Sequence, residues 1–257
     1  MLLCVDIGNT NIVLGLYQGQ DLVTHWRVST DQAKMPDEYG LMLLALVERS
    51  GHKLAEIEGV ALASVVPPVT DTYCEMLSAY LHQEPLIVGS GVKTGVAIRI
   101  DNPREVGADR VVNAAAAYRL YGGPACIVDF GTATTFDALS VSGEYLGGAI
   151  APGVRLAADA LFRGTAKLPR VDLQRPAHAI GTNTVDSMRS GILFGYVGLV
   201  EGMVARFRLE LGPVMHVIGT GGLASVIAQE TRVLEIVDPW LTLKGLRMIY
   251  ELNRGDQ

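Results

Sequence analysis

Three carboxylates, two in glycine-bearing turns and one close behind a glycine, hold most of the chemical content of this chain. Asp6 opens Asp6-Ile7-Gly8-Asn9-Thr10-Asn11, and Asp129 opens Asp129-Phe130-Gly131-Thr132-Ala133-Thr134-Thr135. Each follows an apolar run, and Gly8 and Gly131 stand at the same offset from their aspartates. Glycine permits close approach to the backbone, and the N–H groups of a tight turn can cradle phosphate oxygens. Asn9, Thr10, Asn11, Thr132, Thr134 and Thr135 would add side-chain donors. A carboxylate beside a phosphate repels it unless Mg²⁺ or water intervenes, so Asp6 reads as a metal-associated residue. Ordinary Asp-Xaa-Gly hairpin turns and strand-favouring threonines would leave the same strings. The repetition favours the phosphate reading. The turns are too short for a P-loop, and no GxxxxGK[ST] occurs.

Asp109 is the third carboxylate, in Gly107-Ala108-Asp109-Arg110. The sequence predicts a helix from about Arg104 to Leu120, which would hold Asp109 near its N-terminus, ionised and with a low pKa. It could accept a hydrogen bond from a substrate hydroxyl. Arg110 could bind a carboxylate or neutralise a transferring phosphoryl group. Dipole complementarity with a surface ion pair would explain the same residues. Asn113 falls one turn further on the same face. Gly219-Thr220-Gly221-Gly222 follows a predicted strand and opens a helix, either as a ligand platform or as a common β–α turn. The scattered histidines form no HExxH, so catalytic zinc is not expected. No GxSxG occurs, and Trp26 and Trp240 read as core or interface residues.

Strands over Met1–Val28, Gly59–Val66 and Pro85–Val88 must position these turns, alternating with helices from Pro36 and Pro67. A second three-strand unit runs from Ala125 to Ile150, followed by helices at 153–162, 185–211 and 240–253. This is an α/β pattern with a duplicated strand–turn unit. Gly122-Gly123-Pro124 divides it into domains 1–122 and 123–257. Gly164–Ile180 reads as a long loop, hence a lid or interface. Gly191, Gly195, Gly198 and Gly202 line one face of the long helix, and close packing against a neighbouring helix is expected there.

The chain has 257 residues, 49% apolar and 19% charged, which supports a sizeable core. A net charge of -6 argues against a nucleic-acid binder. Its three cysteines form no CxxC pair and suit a reducing cytoplasm. Neither a signal peptide nor a membrane span is expected, since no apolar run approaches ~18 residues.

Taken in order, Asp6–Asn11, Gly107–Arg110, Asp129–Thr135 and Gly147-Gly148-Ala149-Ile150-Ala151-Pro152-Gly153 resemble the type III pantothenate kinase family over nearly the whole chain. The resemblance implies the acetate kinase–Hsp70–actin superfamily: two ribonuclease-H-like domains with a duplicated core and ATP in the cleft. It implies ATP-dependent phosphorylation of pantothenate, the first step toward coenzyme A, by a homodimer using Mg²⁺. It further implies that Asp6, Ile7, Gly8, Asn9, Thr10, Asn11, Ile12 and Val13 bind ATP phosphates, as does Thr132. Asp109 would be the base, and Gly107, Ala108, Asp109 and Arg110 would contact pantothenate. Thr184 would bind pantothenate across the dimer, and Asp129 would hold a monovalent cation, K⁺ or NH₄⁺. The family often has Tyr before Asp-Asn-Pro. Here Ile100 precedes Asp101-Asn102-Pro103, which reads as altered substrate packing. Alternatives of the same fold are another kinase, a phosphatase, or a nucleotide-binding regulator without kinase activity.

Overall fold

Near-continuous apolar runs become the central strands of two sheets in this computed structural model, which describes residues 1–254. In the first sheet β1 (Leu2–Ile7), β2 (Asn11–Gln18) and β3 (Asp21–Ser29) form an antiparallel meander. β4 (Gly59–Ser64) and β5 (Leu86–Ile87) then add in parallel, giving the order β3-β2-β1-β4-β5. β1 and β4 are buried along most of their length, as interior parallel strands should be.

Helices α1 (Pro36–Arg49) and α2 (Pro67–Leu81) both begin on proline, where the missing N–H costs nothing. The Met35 N–H also donates to Glu38 Oε2 at 2.9 Å, closing the first turn of α1. Tyr39, Leu43 and Val47 of α1 and Val69, Tyr73 and Leu77 of α2 join Leu3, Val5, Leu14 and Leu62 in one core.

The second sheet repeats this plan. β6 (Ala125–Phe130), β7 (Ala133–Leu139) and β8 (Tyr145–Pro152) are antiparallel, and β9 (His216–Thr220) and β10 (Ile236–Val237) add in parallel. The order β8-β7-β6-β9-β10 matches the first sheet strand for strand. The remaining helices are α3 (Ala108–Tyr121), α4 (Val154–Arg163), α5 (Thr184–Leu211), the short α6 (Ala224–Ala228) and α7 (Leu241–Arg254). Leu193, Tyr196, Val200 and Val204 of α5 pack with Val128, Phe136 and Val217 as a second core.

The division into compact units differs from a cut at 122/123. One unit takes Met1–Ala97, Asp101–Ala116 and the chain from Leu241 onward; the other takes Ile98–Ile100 and Ala117–Trp240. The cause is α7, which lies against β1, β2 and β4. A side chain at Gly59 would overlap the Tyr250 hydroxyl, and one at Gly245 would overlap the Val112 carbonyl. Those glycines let α7 settle on the first sheet and on α3.

The glycine face of α5 finds no helix packed on it from the same chain: among the described residues, a Cβ added at Gly191, Gly195 or Gly198 would meet nothing within 4 Å. Residues 164–180 contain neither helix nor strand, in keeping with the long loop read from the sequence. Among the described residues, no helix is long and apolar enough to cross a membrane.

Candidate active site

The turn after β1 is held from outside by Thr30. Its N–H donates to the Thr10 carbonyl at 3.0 Å, and its Oγ1 donates to the Gly8 carbonyl at 2.6 Å. Within the turn the Gly8 N–H donates to the Asn11 carbonyl at 3.0 Å. With these carbonyls engaged, the exposed tip carries the side chains of Asn9, Thr10 and Asn11. Ile7 and Ile12 are wholly buried and serve the core, while Asp6 and Val13 are half-buried on paired strand ends. Nothing in the sequence marked Thr30.

The helix expected from Arg104 starts at Ala108, because Pro103–Glu105 forms a separate 3-10 turn capped by Asn102. Asp109 is therefore in the first turn of α3. The Gly107 carbonyl accepts from the Arg110 and Val111 N–H groups at 3.1 and 3.2 Å. Asp109 Oδ1 accepts from the Arg110 N–H at 2.8 Å. A Cβ at Gly107 would fall 2.5 Å from that same oxygen and 3.4 Å from Val65 Cγ1, so glycine is required beside the carboxylate.

The expectation of a low pKa for Asp109 is overturned. Burial pushes its carboxyl above the usual range, and the opposing pull of the Arg110 N–H and guanidinium is smaller. The helix N-terminus favours the ionised carboxylate, but desolvation is the larger effect here. Asn113 is fully buried and accepts from Thr242 Oγ1 at 2.8 Å, which ties α3 to α7.

In the second unit Asp129 is the penultimate residue of β6, with Thr135 opposite it on β7 and Thr220 opposite it on β9. The turn is closed by the Gly131 N–H donating to the Ala133 carbonyl at 3.1 Å. Two later glycines press on it. A Cβ at Gly153 would lie 2.8 Å from the Gly131 carbonyl oxygen and nearer still to that of Thr132. Gly221 has φ +86, and its Cβ would lie 2.8 Å from Phe130 backbone atoms and nearer still to Asp129 Oδ1. The glycines of 147–153 and 219–222 thus include two that admit backbone against this turn.

Thr132 is exposed at the tip, but Thr134 and Thr135 are not the phosphate donors their types suggested. Thr134 is buried on the face toward α5, hydrogen-bonded to the Tyr196 hydroxyl at 2.7 Å. Thr135 Oγ1 gives its proton to Asp137 Oδ2 at 2.9 Å. A carboxylate with a neighbouring hydroxyl oxygen is a donor set for a hard cation. Among the described residues, no group of three or more His, Cys, Asp or Glu converges as a metal cluster.

Thr184 is the first residue of α5 and is exposed, beside Asn183, whose Oδ1 accepts from the Asp186 N–H at 2.9 Å. It lines an open hollow of about 520 Å³ with Gly181, Ser187, Met188 and Gly191. Ile100 runs along β8: Ile98 bridges to Tyr145, and the Arg99 N–H donates to the Tyr145 carbonyl at 2.8 Å. Gly147, at φ +117, would bring a Cβ 3.5 Å from Ile100 Cγ2. Ile100 therefore belongs to the second unit, and Gly107–Arg110 to the first.

Comparison with known proteins adds independent findings. The family model described as type III pantothenate kinase matches residues 2–206. A type III pantothenate kinase of Moorella thermoacetica is 57% identical over 253 residues, covering 98% of this chain and 100% of the relative. Among solved structures, a Campylobacter jejuni protein described as a Baf family transcriptional activator superposes with TM-score 0.62 at 19% identity, covering 98% of this chain and 99% of that one. The activator of 2-hydroxyisocaproyl-CoA dehydratase from Clostridium difficile, with bound ADPNP, superposes at TM-score 0.54 and 14% identity, covering 99% and 96%. At such identities these two likenesses speak for the fold alone.

Proposed function

The chain belongs to the type III pantothenate kinase family, and we infer from that membership that it phosphorylates pantothenate with ATP, yielding 4'-phosphopantothenate in coenzyme A biosynthesis. ATP and a divalent metal follow from the family. The observation that carries the mechanism is Asp109, a half-buried carboxylate in the first turn of α3 whose proton affinity is raised by burial. A base whose pKa lies closer to the working pH is better matched to removing a hydroxyl proton.

In the reading we favour, Asp109 orients the pantothenate hydroxyl and takes its proton as the new O–P bond forms. Gly107, Ala108 and Arg110 complete the substrate contact, with Arg110 opposite a carboxylate or the transferring group. Ile100 offers the substrate an apolar contact in place of a phenol. The turn within Asp6–Val13 and Thr132 bind ATP, with Asn9, Thr10 and Asn11 supplying donors and the buried Ile7 and Ile12 anchoring the turn. Mg²⁺ near Asp6 and a monovalent cation at Asp129 would, when bound, supply positive charge against the phosphates. For a loose transition state, such positioning and electrostatics outweigh base strength.

We further propose a homodimer. The glycine face of α5 supports this, since a Cβ at Gly191, Gly195 or Gly198 would meet nothing within 4 Å among the described residues, which would let a second helix approach closely. Thr184, at the start of the same helix, would then reach the partner's pantothenate. Free cysteines, two of them buried, support a cytoplasmic enzyme, and the net charge of -6 supports one without a nucleic-acid partner.

The test is coupled ADP release with ATP and Mg²⁺, with and without pantothenate, in K⁺ and then Na⁺ buffer. The proposal expects turnover that requires pantothenate and is stimulated by K⁺. Saturable ATP binding without pantothenate-dependent ADP release would point instead to a regulator of the same fold. Phosphate release without pantothenate would point to a phosphatase.

A further inference from the structure

Asp137 is an aspartate that the family reading leaves without a role, and it is wholly buried in the middle of β7. An ionised carboxylate there is costly to desolvate unless its oxygens are hydrogen-bonded. Both are: Oδ2 accepts from Thr135 Oγ1 at 2.9 Å and Oδ1 from the Tyr145 hydroxyl at 2.7 Å. Thr135 is the direct antiparallel partner of Asp129, and Asp137 is the partner of Ile127. Side chains directly opposite on one face have Cβ atoms about 5 Å apart, so Thr135 stands beside the Asp129 carboxylate.

A threonine hydroxyl has one proton and two lone pairs. The proton of Thr135 is committed to Asp137, whose Oδ2 it reaches at 2.9 Å while the Tyr145 hydroxyl occupies Oδ1. Toward Asp129 and its surroundings, Thr135 Oγ1 therefore presents lone pairs. It cannot donate to a phosphate oxygen, but it can ligate a cation. Hydrogen bonding to the buried carboxylate also polarises the hydroxyl and makes its oxygen a better ligand, as outer-shell carboxylates do for other metal ligands.

We propose that Thr135 Oγ1 ligates the monovalent cation together with the Asp129 carboxylate, and that Asp137 is the positioning residue that keeps the Thr135 hydroxyl turned as an acceptor. This rests on the reading of Asp129 as the cation residue. Thr135→Val removes the oxygen at nearly constant shape. Thr135→Ser keeps it. Asp137→Asn replaces an obligate acceptor by an amide that can donate to Thr135 and turn its proton toward the site.

The experiment measures cation binding apart from turnover, as the rise in Tm with K⁺ at constant ionic strength, with ADP and Mg²⁺ present. Thallium(I) NMR serves as a second probe. The wild type and Thr135→Ser should show a K⁺-dependent rise absent in Na⁺. Thr135→Val and Asp137→Asn should need roughly 10- to 100-fold more K⁺ for half the rise. Their Tm in Na⁺ alone reports any loss of folding separately. If Asp129→Asn abolishes the rise while Thr135→Val leaves it intact, the Thr135 ligand is refuted and the Asp129 site stands. If the wild type shows neither a K⁺-dependent rise nor thallium binding, the Asp129 site falls and the Thr135 ligand falls with it.

Discussion

The turns after β1 and β6 share one plan and differ in what holds them. Both follow the first strand of a sheet with the same order, and both begin Asp-Xaa-Gly. The first spans Gly8–Thr10, has its Gly8 and Thr10 carbonyls taken up by Thr30, and carries Asn9, Thr10 and Asn11 side chains at its exposed tip. The second spans only Gly131–Thr132, is pressed by Gly153 and Gly221, and is followed by Thr135, whose hydroxyl donates to Asp137. Donors suit phosphate; oxygen acceptors beside a carboxylate suit a cation. Two turns of one design can thus differ in chemistry through what holds each of them.

The largest expected effect lies outside both turns and marks the limit of that division. Asp109→Asn should lower kcat by roughly 10²- to 10⁴-fold, since neither turn replaces a base. It should not lower Tm. The folded pKa of Asp109 is raised, so its contribution to stability is complete below the unfolded value of about 3.9 and is lost as pH rises through the folded value. Asparagine escapes that loss at neutral pH. In the wild type, kcat/KM should fall as pH drops through the same raised value. A Tm scan and a pH–rate profile check both.

Crowding of the second turn comes next. Gly221→Ala and Gly153→Ala drive a Cβ into backbone that cannot swing aside, and each should destabilise by about 3 kcal/mol or more. Gly8→Ala meets only the Asn11 carbonyl, at 3.1 Å, and should cost about 1 kcal/mol or less. Denaturant midpoints would rank the three, and equal losses would erase the contrast between the turns.

Thr30→Val removes a hydroxyl that supports the first turn alone. It should cost about 1 kcal/mol of stability and raise the KM for ATP without altering the K⁺ dependence. The smallest effect belongs to the glycines of α5. Gly195→Ala adds a methyl to open space and favours helix, so the folded monomer should gain about 0.5–1 kcal/mol. Sedimentation of the same variant would show whether the dimer tolerates the added methyl.

The strands and both acidic turns were legible because they are local: apolar runs, glycine offsets and repeated spacing lie within a few residues. What stayed hidden was set by distant partners. That α7 returns to the first sheet depends on Gly59 and Gly245 yielding to Tyr250 and Val112, which no periodicity encodes. The start of α3 was misjudged by one turn because the Asn102 cap makes a separate 3-10 turn. Thr135 looked like a donor until Asp137 was seen to take its proton, and Asp109 looked acidic until its burial was known. Residue type announced the chemistry in these cases, and the neighbours decided its sign.

The division between the turns is tested most directly by measuring the KM for ATP and the half-saturating K⁺ on Asn9→Ala and Asp129→Asn in parallel. The account predicts that Asn9→Ala raises the KM for ATP and leaves the K⁺ requirement unchanged, while Asp129→Asn raises or abolishes the K⁺ requirement. An Asp129→Asn enzyme with wild-type K⁺ dependence, or an Asn9→Ala enzyme whose K⁺ requirement shifts instead of its KM for ATP, would contradict it.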